Sequence, residues 1–216
     1  MNGFNTDNIK GVFVHKHKKL LITGLLIVLL ISCAVVYAPN FLLYSSNYQK
    51  TDAIVLFLGP DFTARQKEAY KIINEGMADY LIIPAYHKAY RIFGEGNIKY
   101  LSSNLSSRSS AKKKALPASS PSFYEDTHIE TIEAKKIMAD FGLKSAIFVS
   151  SPYHMRRIKL IVTKVFAGEK GGFYFVPTSY ERAPGSFREL SGADWKKVGL
   201  EYIKMLWFSI YTLWAK

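Results

Sequence analysis

Leu20 to Ala38 is a run of 19 residues without a single charge, LLITGLLIVLLISCAVVYA. At 1.5 Å per residue a helix of that length reaches roughly 28 Å, close to the 30 Å or so of a bilayer's hydrocarbon core. Polar residues are nearly absent on every face, which sets it apart from a buried amphipathic helix. Lys10, Lys16, Lys18 and Lys19 precede it, against one acid, Asp7. That bias predicts a cytoplasmic N-terminus and a chain that crosses to the far side. Three processing outcomes stay open. The run serves as an uncleaved signal anchor, or Leu30-Ile31-Ser32-Cys33 is a lipoprotein box, or cleavage follows Val36-Tyr37-Ala38, which Pro39 disfavours. All three put the folded part in the inner or plasma membrane's outer compartment, facing the periplasm or the cell exterior.

This placement changes what the charge means. The net charge is +12, and the residues after Ala38 carry +9 of it. Nucleic acid is not an expected partner for an exported domain; anionic lipid or envelope polymer is nearer at hand, and a plainly solvated basic surface is the other reading. Half of the residues are hydrophobic (49%), enough for a core and too many for wholesale disorder. The single Cys excludes an internal disulfide and a Cys-based zinc site.

The exported part divides into a stem over 39–50, a domain over 51–192 and a closing segment over 193–216. Asp52 to Leu58 (DAIVLFL) is a strand buried on both faces, followed by a Gly59-Pro60-Asp61 break. Thr63 to Glu75 reads as a helix closed by Gly76, and Tyr80 to Pro84 as a second strand. Ala85 to Phe123 is rich in Ser and Lys and reads as a surface loop, with a helical stretch open around Tyr86 to Phe93. A helix follows, with Thr127 and Glu130 at capping-box spacing and Gly142 at its end. Lys144 to Ser150 is a third strand, and Ser151-Pro152 starts a helix that ends near Gly168. Gly172 to Pro177 is a fourth strand. Alternation of strands and helices predicts an α/β domain with a mainly parallel sheet. In Asp194 to Trp214, the stripe Leu200, Ile203, Trp207, Ile210, Tyr211 and Trp214 leaves two readings: a helix packed on the sheet, or an interfacial helix on the bilayer.

Ligands of open parallel sheets bind beyond the carboxyl ends of the strands. Three segments qualify there. At Ser150-Ser151-Pro152-Tyr153-His154-Met155-Arg156-Arg157, free N–H groups, His154 and Arg157 suit a phosphate or carboxylate, with His154 moving a proton. The competing account is an N-cap with a structural His-Arg pair. Glu125, His128, Glu130, Thr131 and Glu133 offer a base, although acids are also expected in a first helical turn and a metal site there is disfavoured. Gly59 permits close backbone approach, and Arg65 brings a charge for an anion. No dinucleotide fingerprint is present.

The ordered set resembles the YdcF-like, SanA-like and ElyC-like family of bacterial envelope proteins. The resemblance rests on Asp52 to Gly59, then Arg65, Ala69 and Gly76, then Tyr80 to Ile83. It continues through Glu125, His128, Thr131 and Glu133-Ala134 to Val149-Ser150-Ser151 and His154-Met155-Arg156-Arg157. Pro60 and Pro84-Ala85-Tyr86 stand where the family carries glycine-rich turns, and His128 stands for a small polar residue. Membership implies a Rossmann-like three-layer sandwich behind one N-terminal transmembrane helix, and a part in envelope or peptidoglycan integrity. On this reading His154, Glu125 and Glu133 are the catalytic candidates, and Gly59, Arg65, Thr131, Ser150, Ser151 and Arg157 bind the ligand. That ligand is an anionic envelope small molecule or lipid-linked precursor. No cofactor is specified. The alternative is a non-catalytic envelope scaffold that works through its basic surface and last helix.

Overall fold

The computed structural model describes residues 6–93, 97–101 and 124–214. Its elements are α1 (Thr6–Leu42), β1 (Thr51–Leu56), α2 (Phe62–Asn74), β2 (Ala78–Ile83), β3 (Lys88–Phe93) and β4 (Asn97–Leu101). They continue with α3 (Asp126–Asp140), β5 (Ala146–Ser150), α4 (Met155–Val165), β6 (Phe173–Pro177) and α5 (Gly192–Trp214). The strands form one sheet in the order β4-β3-β2-β1-β5-β6. Pairings among β2, β1, β5 and β6 are parallel, and β3 and β4 add an antiparallel hairpin at one edge. The fold is thus mixed α/β with a mostly parallel sheet behind an apolar N-terminal helix.

The hairpin corrects the loop expected from Ala85 onward, and it replaces the helical option around Tyr86. Pro84–Tyr86 form a 3₁₀ turn, and His87 takes the left-handed region at φ 52° to reverse the chain. Residues 102–123, which hold most of the Ser- and Lys-rich segment, lie outside the described part.

Strand β1 shows why the sequence folds this way. Ala53, Val55 and Phe57 point to one face and join Ala134 and Met138 of α3 and Ile158 and Val162 of α4. Ile54 and Leu56 point to the other and join Ala69, Ile72 and Ile73 of α2. Period-two alternation in a strand buried on both sides yields a continuous apolar run, which is what DAIVLF is. Gly76 and Gly142 close α2 and α3 at φ 70° and 68°, where other residues would be strained.

Asp52 ties two strands together. Its Oδ2 accepts the N–H groups of Lys144 (2.7 Å) and Ser145 (2.8 Å) and the Ser145 hydroxyl (2.9 Å). Partial burial works to raise its carboxyl pKa, but these hydrogen bonds pull it below the ordinary value. Asp52→Ala is expected to cost about 1–2 kcal/mol, because two strand-entry N–H groups lose a charged acceptor. A urea midpoint unchanged from wild type would refute that role.

Two further differences concern the anchor. Helix α1 continues past Ala38 and through Pro39 to Leu42. Residues 21–37 are exposed, whereas Pro39 and Leu42 are buried, so packing against the domain carries the helix on. Leu21–Leu42 is long and apolar enough to cross a membrane. The expected stem is a docked strip. Arg156 donates to the Phe41 carbonyl (2.8 Å) and stacks over the Phe41 and Tyr44 rings at 4.5 and 4.8 Å. The Ser46 N–H donates to the Phe175 carbonyl (3.0 Å), and the Phe175 N–H to the Ser46 hydroxyl (2.8 Å). The strip thereby covers the open edge of β6.

Candidate functional site

The carboxyl ends of β1 and β5 present Phe57 to Gly59 and Ser150 to His154, and the start of α3 lies beside them. Arg157, one turn into α4, is 2% exposed and central. Its Nε donates to Glu201 Oε2 (2.6 Å), and its Nη2 reaches Glu201 Oε1 (3.3 Å) and His154 Nδ1 (2.8 Å). Its Nη1 donates to Thr127 Oγ1 (2.8 Å) and Glu125 Oε1. A guanidinium has five N–H donors; four are taken by oxygen acceptors inside the protein, and the fifth faces His154 Nδ1. This corrects the expectation that Arg157 clamps a ligand: it gathers α3, α4 and α5 instead.

His154 sits beside it, a quarter exposed, with Nδ1 2.8 Å from Glu201 Oε1 as well. Arginine only donates, so Nδ1 accepts from Arg157 when it carries a lone pair and donates to Glu201 when it carries hydrogen. The two contacts exclude each other. Each tautomer leaves a different group outward at Nε2, a proton in the first case and a lone pair in the second. Burial pushes the imidazole below its ordinary pKa, with Arg157 and Arg65 adding to this against the pull of Glu201. His154 is therefore neutral near pH 7, the state in which such a choice exists. Burial would raise Glu201, but the hydrogen bonds and charges of His154 and Arg157 outweigh it and hold the carboxyl at about 2.

Arg65, also 2% exposed, forms the second centre. Its Nε donates to Ser151 Oγ (3.0 Å), and its Nη1 to the carbonyls of Phe57 (3.3 Å) and Leu58. A Cβ at Gly59 would collide with this guanidinium. The glycine thus admits Arg65, where ligand approach was expected. Ser151 likewise turns its hydroxyl to Arg65 and does not cap a helix. Nη2 of Arg65 has no hydrogen bond among the described residues, so this is the guanidinium with donors to spare.

Glu130 feels the charge of both arginines. Burial raises its carboxyl to about 7, against a hydrogen bond with the Leu58 backbone and the charges of Arg65 and Arg157. Its Oε2 is buried without a hydrogen-bond donor, as are Oε2 of Glu125 and of Glu181. Protonation relieves such an oxygen, which fits the raised value. Burial raises Glu125 as well, despite Arg157.

The capping role expected of Glu130 is not observed. Helix α3 starts at Asp126, with Glu125 at the N-cap, so Thr127 lies inside the helix and turns to Arg157. Glu133 does not join the cluster: it pairs with His87 at 2.9 Å beside the β2–β3 turn. Thr131 is fully buried and donates back to the Thr127 carbonyl (2.7 Å), which removes it from any ligand. Ser150 is buried, and its carbonyl accepts the Thr178 N–H (2.8 Å). His128 stacks among Tyr124, Phe208 and Tyr211 with Nδ1 3.0 Å from the Tyr211 hydroxyl, a packing role.

Glu201 is the residue that sequence reasoning missed. One signal was present: it shares a helical face with Val198, Phe208 and Tyr211, the buried side of α5. An acid within an apolar stripe needs a buried partner. Among the described residues no set of three His, Cys, Asp or Glu side chains suits a metal ion. Comparison with protein-family models, curated proteins and solved structures finds no match for the chain.

Proposed function

We propose that this chain is a membrane-anchored extracytoplasmic envelope protein of the YdcF-like, SanA-like and ElyC-like type, with a Rossmann-like three-layer arrangement. The rim at the carboxyl ends of its central strands binds or acts on an anionic, phosphate-bearing envelope molecule and so supports envelope or peptidoglycan integrity. The observation that carries this reading is Arg65, which has an uncommitted Nη2, within the electrostatic reach of a Glu130 carboxyl raised to about 7. A guanidinium offers charge and N–H donors to a phosphate oxygen. A carboxyl that titrates near neutrality gives or takes a proton at working pH. His154, kept neutral by burial and oriented by Glu201 and Arg157, offers a second proton site at Nε2. Glu125 fixes Arg157 rather than the substrate.

The test uses the full chain in nanodiscs that carry a polyprenyl phosphate, with phosphatidylcholine nanodiscs and free inorganic phosphate as separate arms. Arg65→Gln is expected to weaken phosphate binding about tenfold or more, the loss of one charged hydrogen bond. Equal binding by wild type and variant, with both chains melting normally, removes the anion reading.

The scaffold reading has one observation in its favour: every nitrogen of Arg157 is engaged by the protein itself. A Glu130→Gln/His154→Gln chain that fully complements a deletion strain at normal expression would establish it.

A further inference from the structure

Helix α5 has two faces of opposite use. Val198, Glu201, Phe208 and Tyr211 are buried against the domain. About half a turn away, at 100° per residue, Ile203, Leu206, Trp207, Ile210, Leu213 and Trp214 fall within an arc of about 120°. They face outward, with Ile203 64%, Leu213 71% and Trp214 85% exposed. From Met205 to Trp214 the helix has no charged residue, and its lysines, Lys196, Lys197 and Lys204, all precede that stretch. A contiguous apolar face of this kind on a soluble surface marks an interaction site.

What covers it is indicated by where α5 meets α1. The Tyr202 hydroxyl donates to the Ala38 carbonyl (2.9 Å), and the Tyr202 ring stacks on Phe41 at 6.0 Å. Ala38 is where the exposed apolar stretch of α1 gives way to residues buried against the domain, so the outward face of α5 begins beside the level at which α1 would leave the bilayer. Trp and Tyr favour that level, and an uncharged half-helix with basic residues behind it suits shallow insertion.

We infer that the outward face of α5 lies in the interfacial layer of the same bilayer that α1 crosses. This rests on the anchoring reading of α1. One consequence concerns the site. Glu201 is on the opposite side of the same helix, so His154 and Arg157 stand within a helix diameter, on the order of 10 Å, of the lipid.

The experiment is quenching of tryptophan emission by brominated lipid. The chain has three Trp residues, and Trp195→Phe leaves only Trp207 and Trp214 as reporters. The full chain is reconstituted in phosphatidylcholine/phosphatidylglycerol vesicles brominated either near the headgroup or near the chain terminus. Shallow bromine is expected to quench roughly half or more of the emission, and deep bromine distinctly less, as for interfacial aromatics. Emission untouched by either lipid overturns the inference, and so does stronger quenching by the deep one. An Ile203→Cys chain in a Cys33→Ser background that crosslinks to a second copy also overturns it, since another protomer then covers the face. Carbonate extraction separates the premises. A chain retained by the membrane but unquenched leaves α1 an anchor and removes the seating of α5. A chain released by carbonate yet quenched before release does the reverse.

Discussion

Replacing Arg157 with methionine is expected to destabilise the folded chain by about 3–5 kcal/mol, the usual effect of removing one partner from a buried ion pair. The side chain is 2% exposed and lies between two buried carboxylates, Glu125 and Glu201. Methionine fills much of the volume but leaves both acids facing an apolar group and each other. Glu201 is the more exposed to this change, because its carboxyl is held at about 2 only by His154 and Arg157 acting against burial. A depressed carboxyl pKa stabilises the fold above the ordinary carboxylate value, and this contribution disappears as pH falls toward 2. Without Arg157 only the share due to His154 remains. Urea melts of the detergent-solubilised chain measure the loss. An Arg157→Met/Glu125→Leu/Glu201→Leu chain should recover most of it, since a well-packed apolar core replaces a buried ionic cluster at little penalty. A single variant that loses less than about 1 kcal/mol, the range of an exposed pair, would mean that the cluster is solvated.

The second large effect concerns Glu130. Its folded pKa of about 7, against an ordinary 4.5, means that the native state holds the proton more tightly than the unfolded chain. The sign follows: this contribution is fully present below 4.5 and is lost as pH rises through about 7. The gap amounts to on the order of 3 kcal/mol, at about 1.4 kcal/mol per tenfold change in proton affinity. Glu130→Gln cannot ionise and removes this slope. The imidazole of His154, held below its ordinary value, favours folding as pH rises and so works the other way. The readout is therefore the difference between the wild-type and Glu130→Gln stability curves across pH 4 to 8. Parallel curves would show that Glu130 is an ordinary solvated acid.

Much of the sheet was legible, and the reason is physical. β1 and β5 are buried along almost their whole length, and the buried residues of β2 and β6 lie on both faces, so each is a compact apolar run that composition alone reveals. The β3–β4 hairpin escaped notice because Lys88–Phe93 has exposed residues on both faces and mixes Lys and Arg with its apolar residues. Its period-two signal was submerged in the Ser- and Lys-rich composition that follows. The site was legible as a neighbourhood. Arg65 does meet Ser151, and Glu125 and His154 do meet Arg157. Their roles were not legible, since spacing says nothing about which donors are already taken. Thr127 and Glu130 have capping-box spacing, but a helix that starts at Asp126 frees both side chains for the arginines. A capping box of that form does occur at Ser191 and Asp194, ahead of α5.

The strip from Phe41 to Tyr48 has a mechanical consequence. With Arg156 gripping its start, Ser46 laced to β6 and the Tyr48 hydroxyl on Glu75, no slack remains between helix and domain. A domain on a loose leash sweeps a hemisphere and captures what drifts past at a distance. On the anchoring reading of α1, this one turns only as its anchor turns and keeps a fixed height above the membrane.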